Sequence, residues 1–411
     1  MKGSHPLPHG ILIIGGYGEV GRRIASYLAH DYPDRVIVAG RDPAPAGSLA
    51  AMLGRGVRAI SLDVRDRRSI MNALDGVGLV VNCVDDPLRR VLHAAIGCGL
   101  AYTDLSPHTL DLRLARHEGS IDPLAALISA ARASGARVVL GAGLIPGASG
   151  VVARACADRV IQVTSIHSAL LLSLGDVYGS DSLSYMMDEA TRPFPVWIRG
   201  RDETSLPFTD GIPIEFPAPI GVRTAYRFPF SDQFFYPRTL GAMTAVTRLA
   251  LDPPWVAPTL ARFARVRDAS LAKSPLVRRV LPRVASLVRR ALRGRNAYAL
   301  VMKVDGHHEK MRASLLGRTQ ADGTAAATVA IANALIAGEI AEPGVWFPEQ
   351  ALAPTAFFAR LAARGLHVQL EPRRAADVVE YPASADDVRP NPGKAPSHGP
   401  ATTEKRTRGL P

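Results

Sequence analysis

The sequence is short of cysteine, of aromatic residues and of long apolar runs, and each shortage excludes a class of protein. Among 411 residues there are three cysteines, Cys83, Cys98 and Cys156, and no two of them form a C-x-x-C pair. We therefore expect no metal site and no disulfide framework. Free thiols fit a reducing cytosol, no uncharged apolar run is long enough to cross a bilayer, and no signal peptide precedes the first predicted strand. These features predict a cytoplasmic protein.

The shortage of aromatic residues also bears on the positive charge of the chain. The formal net charge is +12, yet only 6% of the residues are aromatic. A nucleic-acid-binding protein would interleave its basic residues with stacking aromatics or carry them on a known motif, and this sequence does neither. We expect a small-molecule substrate and no nucleic acid. The length allows two domains, and a hydrophobic content of 47% supports full cores.

The strongest signal is the stretch from Ile11 to Ala25, ILIIGGYGEVGRRIA. It combines an apolar β-branched run, a G-x-G-x-x-G turn and a segment of helical periodicity, an order typical of a dinucleotide-binding unit. Gly16 is expected to make the tight turn, Gly18 to let a pyrophosphate approach the backbone, and Gly21 to let the helix pack on the strand. The predicted cofactor-binding turn is Gly16, Tyr17, Gly18, Glu19, Val20 and Gly21.

The end of the second predicted strand indicates which dinucleotide binds. That strand ends with Gly40, Arg41 and Asp42. At this place an Arg suits a 2′-phosphate and an Asp suits a free 2′-hydroxyl. Because Gly40 leaves room and Arg41 offers a planar cation, we predict NADP, with NAD as the alternative on account of Asp42. After the third strand, Asp63 and Val64 are predicted to reach the adenine.

Strands and helices alternate along roughly the first third of the chain. This alternation predicts an α/β fold with a doubly wound parallel sheet of the Rossmann type, covered by helices on both faces. Ligands of such sheets bind at the carboxyl ends of the strands. Cys83, Val84 and Gly143 follow predicted strands, so we expect them to contact the cofactor.

Three residues at one predicted strand end are candidates for the chemistry. A hydride transfer needs a proton donor beside the cofactor, and Tyr102, Asp104 and His108 lie at this edge. Tyr102 and Asp104 are two residues apart and share one side of the strand, although Asp104 could instead cap the next helix. His108 changes its charge near neutral pH; otherwise it is an exposed loop residue.

The chain resembles the saccharopine dehydrogenase family in four segments. These are GGYGEVG with the AGR that follows, VVNCV at 80–84, AYTDLS at 101–106 and VVLGAGLIPGASG at 138–150. The resemblance implies an NAD(P)-dependent oxidoreductase that interconverts an imine and a secondary amine. It also implies that Cys83 and Val84 lie along the cofactor near the nicotinamide. Family members often carry an Asp before the Pro-Gly of the last segment, where this chain has Ile145.

Beyond residue 150 the pattern changes to strands, prolines and isolated helices. This change predicts a Rossmann domain over residues 1–150 and a second, mixed α+β domain over residues 151–320. The resemblance implies that the second domain binds substrate and forms a homodimer. Helices over residues 321–372 are expected to return to the first domain. The composition of residues 383–411 predicts a disordered tail.

A basic segment stands apart from the rest of the second domain. Residues 262–295 carry many Arg residues and an apolar stripe, which predicts an amphipathic helix with a kink at Pro282. Such a helix either packs on the second domain or on a partner subunit, or contacts an anionic membrane surface through residues 275–293. A peripheral membrane location therefore stays open beside the cytoplasmic one.

Two function classes follow from these features. The first is an NADP-dependent oxidoreductase that acts on an imine or, as the apolar Ile145 and the basic segment suggest, on a carbonyl or enoyl group. The second is a non-catalytic nucleotide-binding or membrane-surface interaction protein that retains the fold. Turnover of a substrate panel by the NADPH-bound protein discriminates between them.

We expect Arg41→Ala to weaken NADPH binding about tenfold, because NADPH carries a 2′-phosphate for the guanidinium to hold. NADH lacks that phosphate, so its affinity should stay nearly unchanged. Calorimetric titration of the full-length chain with both dinucleotides measures the two effects. Equal losses for both dinucleotides would assign Arg41 a different role.

Overall fold

The structure, a computed structural model, describes most of the chain, namely residues 10–105, 122–176, 186, 188–265 and 296–373. The candidate His108, the basic segment beyond residue 265 and the tail from residue 383 lie outside these ranges, so what the sequence predicts of them stays a prediction.

Seven strands, all parallel, form the first sheet. In chain order they are β1 (Gly10–Ile14), β2 (Val36–Gly40), β3 (Arg58–Ser61), β4 (Val77–Asn82), β5 (Ala101–Asp104), β6 (Arg137–Val139) and β15 (Gly344–Trp346). Their spatial order is β15-β6-β5-β4-β1-β2-β3. The central strands are continuous apolar runs and are buried along their length, as expected for a parallel sheet with both faces covered.

Helices surround this sheet and connect it to a second one. Those in the described residues are α1 (Gly21–Asp31), α2 (Pro43–Leu53), α3 (Arg67–Ala73), α4 (Arg90–Gly97), α5 (Pro123–Ser134), α6 (Ala148–Ala157), α7 (Asp232–Thr239), α8 (Val256–Arg265), α9 (Gln320–Ile336), α10 (Pro348–Ala351) and α11 (Pro354–Ala362). Across the part of the chain that is described, no helix is long and apolar enough to span a bilayer.

The second sheet has nine strands and mixes parallel with antiparallel pairs. They are β7 (Ser165–Ser173), β8 (Phe194–Ile198), β9 (Arg201–Ser205), β10 (Ile212–Phe216), β11 (Gly221–Arg227), β12 (Thr244–Asp252), β13 (Tyr298–Asp305), β14 (Lys310–Gly317) and β16 (Val368–Pro372). The main path runs β10-β11-β12-β7-β13-β14-β16, and β8 joins at β12 with β9 beside it. The predicted fold class, a parallel Rossmann-type sheet with a second mixed domain, is confirmed.

One strand of the first sheet has no recognisable pattern in the sequence. The sequence around Gly344 reads as a plain turn before a helix, but Gly344–Trp346 pairs in parallel with Arg137–Val139 and becomes the edge strand of the first sheet. Three residues are too few to show a period of two, and the partner strand lies far away in sequence, so only the tertiary structure defines this strand.

Helix α9 packs against elements of both sheets. It contacts α1, β4 and β5 on one side and β14 on another, and 14 of its 17 residues are buried. Alanine dominates because a helix enclosed by neighbours on several sides has room only for small side chains. At Gly323 the ring of Tyr298 from β13 lies so close that an added Cβ would overlap it.

Two buried carboxyl groups lie where α6, α7 and α10 meet. The Asp232 carboxylate accepts hydrogen bonds from the Tyr236 hydroxyl at 3.0 Å and the Thr247 hydroxyl at 3.0 Å. The Glu349 carboxylate accepts one from the Thr239 hydroxyl at 2.8 Å. Burial raises the pKa of Asp232 to about 6 and that of Glu349 to about 7.

We expect Glu349→Gln to remove a pH dependence of stability. The carboxyl holds its proton up to about pH 7 in the folded chain but only to about pH 4.5 when unfolded. Between these values the folded state binds more protons, so its stability falls as pH rises. The amide is neutral throughout, and the variant should therefore gain stability relative to the unaltered chain, by about 1–3 kcal/mol, from about pH 5 to about pH 8. Urea unfolding at both pH values measures the difference.

The matched control for this substitution is Glu342→Gln, which removes the same charge at an exposed position. It should leave the slope of stability against pH unchanged. A Glu349→Gln variant with the slope of the unaltered chain would contradict the raised pKa.

Candidate functional site

The glycine turn follows β1 directly, but its tight bend lies one residue earlier than expected. Gly15 has the positive φ, 73°, which only glycine adopts at little cost. Gly16 has a packing role instead, because a Cβ there would lie 2.9 Å from Cγ1 of Val38 on β2. The sequence-based role of Gly16 as the bend is thus corrected, while its place in the turn is as predicted.

The other two glycines of the motif differ in what surrounds them. A Cβ on Gly21 would overlap the carbonyl oxygen of Gly15, so glycine is needed there for α1 to pack on the turn. A Cβ on Gly18 would meet a single neighbour, the Gly15 oxygen at 3.2 Å. The backbone at Gly18 is therefore open on its remaining sides, a cradle that suits a pyrophosphate.

The start of α1 is suited to receive an anion. Within the described residues no side chain caps this helix, and its first turn carries no acidic residue. The N–H groups of Arg22 and Arg23 already donate to the carbonyls of Gly18 and Val20, so the helix offers phosphate oxygens its positive dipole end. The Glu19 carboxylate is turned away into ion pairs with Arg22 and Arg23, both at 2.6 Å. Val20, just before the helix, packs against the core.

Tyr17 fills the space that the sequence left open above Gly40. A Cβ at Gly40 would overlap the Tyr17 ring, and the backbone N–H of Asp42 donates to the Tyr17 hydroxyl at 3.3 Å. Glycine is therefore needed at position 40 because the Tyr17 ring leaves no room for a side chain there, in addition to any room that a ligand needs. The Asp42 carboxylate caps α2 by accepting from the Ala44 N–H at 3.0 Å, so this carboxylate, the feature that favours NAD, already has a structural partner.

Arg41 and Asp63 lie side by side at the ends of β2 and β3. Gly40 pairs with Ser61 in the parallel register, and the Ser61 hydroxyl donates to the Arg41 carbonyl at 3.3 Å. Arg41 is exposed. The Asp63 carboxylate accepts from the guanidinium of Arg65 at 2.8 and 3.0 Å, and this pairing lowers the pKa of Asp63 to about 2, with a smaller contribution from the charge of Arg41.

At the end of β4 a buried asparagine orders the next residues. The Asn82 side chain donates to the Val84 carbonyl at 3.1 Å and accepts from the Val84 N–H at 3.4 Å. The Cys83 N–H bonds to the Ile14 carbonyl at 2.9 Å, so Cys83 and Val84 lie beside the glycine turn. Burial raises the pKa of the Cys83 thiol to about 12, and the thiol stays protonated at neutral pH.

Tyr102 and Asp104 point to the same side of β5, as their spacing predicts. The Tyr102 hydroxyl donates to the Asp104 carboxylate at 3.0 Å, and both side chains are buried. The other Asp104 oxygen accepts from the Gly141 N–H at 3.3 Å. Burial raises the pKa of Tyr102 well above its usual value, and the charge of Asp104 adds to this.

The loop after β6 is closed on itself. Gly147 has a φ of 131°, and a Cβ there would overlap the Gly143 carbonyl, which also accepts from the Ala148 N–H at 2.9 Å. The Thr328 hydroxyl of α9 donates to the Ala142 carbonyl at 2.9 Å. Ile145 is half-buried and packs against the main core.

The structure thus brings most of the predicted residues to one edge of the sheet. The residues that follow the carboxyl ends of parallel strands are the turn, Arg41, Asp63, Val64, Cys83, Val84 and Gly143. Asp104 is the last residue of β5, and Tyr102 lies two residues earlier in the same strand. Sequence reasoning missed two kinds of residue here. Asn82 and Thr328 fix loop backbones, and Arg65 binds Asp63. A polar residue at the end of an apolar strand is a detectable signal for Asn82, whereas the contact of Thr328 spans 186 residues.

Comparisons with known proteins agree with this geometry. The family model described as saccharopine dehydrogenase NADP binding domain matches residues 11–122. The N-terminal part of this chain is thus similar to the NADP binding domain of saccharopine dehydrogenases. The predicted resemblance is thereby confirmed, and the ligand named for the domain is the predicted cofactor, NADP.

Two individual proteins extend the comparison. Saccharopine dehydrogenase (L-Glu forming) from Saccharomyces cerevisiae has the same fold, with a TM-score of 0.64, 15% identity, and coverage of 89% of this chain and 100% of that one. A stretch of 109 residues, 24% of this chain, is 30% identical to the polyketide synthase GfsA of Streptomyces halstedii. The match spans 1% of that synthase.

We expect Gly18→Val to abolish dinucleotide binding in a chain that still folds. The added methyl groups would occupy the open cradle, while among the described residues the new Cβ would come close to one atom, a carbonyl oxygen at 3.2 Å. Calorimetry with NADPH measures binding, and circular dichroism measures the melting temperature. Gly47→Val, on α2 with open space around it, is the control and should retain affinity. Full affinity in a folded Gly18→Val variant would end the assignment of the turn.

Proposed function

We propose that this chain is an oxidoreductase that uses NADP(H) and transfers a hydride between the cofactor and an apolar imine, carbonyl or enoyl substrate. The observation that carries the proposal is the convergence at one sheet edge of an open glycine cradle, an arginine suited to a 2′-phosphate and a rigid loop with an apolar residue at Ile145. When bound, the nicotinamide supplies or accepts the hydride.

The residues of the chain then have binding and orienting roles. Gly18 and the uncapped start of α1 would hold the pyrophosphate, and Arg41 the 2′-phosphate. Asn82 fixes the Val84 backbone, and Asp104 anchors the loop that begins at Gly141. These contacts are made in the folded chain before any ligand binds, so little reorganisation accompanies binding.

The apolar loop is the basis for the substrate class. In this family an Asp often stands where Ile145 lies, and a carboxylate there would pair with the ammonium group of an amino acid. An isoleucine gives such a group no counter-charge, and it favours apolar contact instead. The polyketide synthase similarity covers too little of that protein to name a substrate.

The proton that accompanies hydride transfer has two candidate sources among the predicted residues. Tyr102 and Asp104 form a buried hydrogen-bonded pair, and His108 lies outside the described residues. In the reduction direction the substrate takes a hydride from NADPH and a proton from one of these groups, and that group must then regain its proton from solvent. The homodimer and the contact with a membrane surface stay proposals that rest on the family resemblance and on the basic segment.

A second candidate function is a non-catalytic nucleotide-binding protein. The burial of Tyr102 and Asp104 favours it, because both groups already satisfy each other and neither is exposed. Such a protein would bind NADPH and leave every substrate unchanged.

The test of the proposal is oxidation of NADPH in the presence of a panel of apolar imines, ketones, enoyl thioesters and saccharopine. We expect turnover of apolar members and little of saccharopine. Ile145→Asp should lower kcat/KM for the apolar substrates about tenfold or more, because it places a charge in their pocket. Ile145→Leu keeps the pocket apolar and is the control.

Each contrary outcome has a distinct meaning. Efficient turnover of saccharopine by the unaltered chain would contradict the apolar substrate class. Tight NADPH binding without turnover of any panel member would favour the non-catalytic candidate. Absence of NADPH binding would overturn both.

A further inference from the structure

A second arginine stands at the place where the 2′ end of the cofactor would lie. Arg65 follows Asp63 by two residues and folds back on it, with its Nε and one terminal nitrogen on the two carboxylate oxygens at 3.0 and 2.8 Å. The Arg65 side chain is 67% exposed. Its planar fork therefore lies at the surface, where two of its nitrogens contact the Asp63 carboxylate.

Asp63 and Arg65 are next to Arg41 because β2 and β3 are parallel neighbours. Besides the Ser61 contact with Arg41, the Leu62 N–H bonds to the Gly40 carbonyl at 2.9 Å. The charge of Arg41 acts on the Asp63 carboxylate. Arg41 and the Asp63–Arg65 pair thus follow neighbouring strands at the edge that reads the adenosine ribose.

The charges of this cluster do not balance. Arg41 and Arg65 contribute two positive charges and Asp63 one negative charge, while the carboxylate of the neighbouring Asp42 is bound to the N-terminus of α2. A 2′-phosphate carries nearly two negative charges at neutral pH and presents three acceptor oxygens. A phosphate fits the bidentate geometry of a guanidinium as well as a carboxylate does. The phosphate also carries more negative charge than the carboxylate.

We propose that the Asp63–Arg65 pair is a latch that selects NADP(H): Arg65 exchanges Asp63 for the 2′-phosphate and binds it together with Arg41. This inference rests on the proposed cofactor. Asp63 holds Arg65 in place in the free chain and competes with the phosphate for it. A dinucleotide with a free 2′-hydroxyl carries no negative charge there that could displace Asp63 from Arg65, so it leaves the ion pair intact.

The test uses calorimetric titration of the full-length chain with four probes: NADPH, NADH, adenosine 2′,5′-bisphosphate and AMP. Arg65→Ala should weaken NADPH and the bisphosphate about tenfold, the value of one lost charge-assisted contact. NADH and AMP, which lack the 2′-phosphate, should change less than about twofold. Arg65→Lys keeps the charge but not the fork and should fall between.

Arg58→Ala is the matched control. Arg58 begins the same strand, is exposed, and lies at the amino end of β3, away from the ligand edge. Its removal lowers the net charge equally and should leave all four affinities unchanged. Asp63→Asn tests the competition directly, since it should strengthen NADPH binding severalfold without strengthening NADH binding.

Failures of the latch and of the proposed function are distinguishable. If the unaltered chain binds NADPH and Arg65→Ala leaves that affinity unchanged, or weakens all four probes equally, the latch is wrong and the cofactor stands. If Asp63→Asn weakens NADPH more than it weakens NADH, Asp63 does not compete with the 2′-phosphate for Arg65 and the latch is wrong. If the unaltered chain binds neither dinucleotide, the proposed function fails and the latch with it.

Discussion

The packing of the first sheet with the second depends on α9, a helix that is enclosed by neighbours on several sides. α9 comes from the end of the second sheet, crosses to the first and packs against α1, β4 and β5. The main core contains residues of both sheets together with α9. A helix in this position has room for few large side chains, so alanine is its commonest residue. Substitutions that add volume on α9 therefore act on the nucleotide edge and on the second sheet at once.

Buried polar side chains order the loops at the carboxyl ends of the strands, which is the edge of the first sheet where the ligand would bind. Thr328 on α9, Asp104 on β5 and Asn82 on β4 each bond to the backbone of a loop at that edge. Each of these side chains is buried, so a lost partner would cost the full desolvation of the group. The loops are thus held by interactions that originate in the core, and the ligand edge shares the rigidity of the core.

Sequence reasoning found the parts of the site that have a local signal. The glycine spacing, the apolar strands and Arg41 are readable because strand, turn and helix follow each other within a short stretch. Gly15 was passed over because its φ depends on how the chain leaves β1, and Gly40 was explained by ligand space although the ring of Tyr17 lies there. Arg65 was missed because no sequence pattern marks an exposed arginine as a ligand-binding residue. The structure draws attention to it through its ion pair with Asp63.

The edge strand β15 has a consequence for how the protein forms. The family model covers residues 11–122, yet the sheet of that domain is completed by residues 344–346. An emerging chain therefore exposes the open edge of β6 until nearly the whole described sequence has left the ribosome. Pairing across such a sequence distance is slow, and an open parallel edge is a template for other chains. The N-terminal segment taken by itself therefore leaves β6 without its neighbour β15 in the sheet.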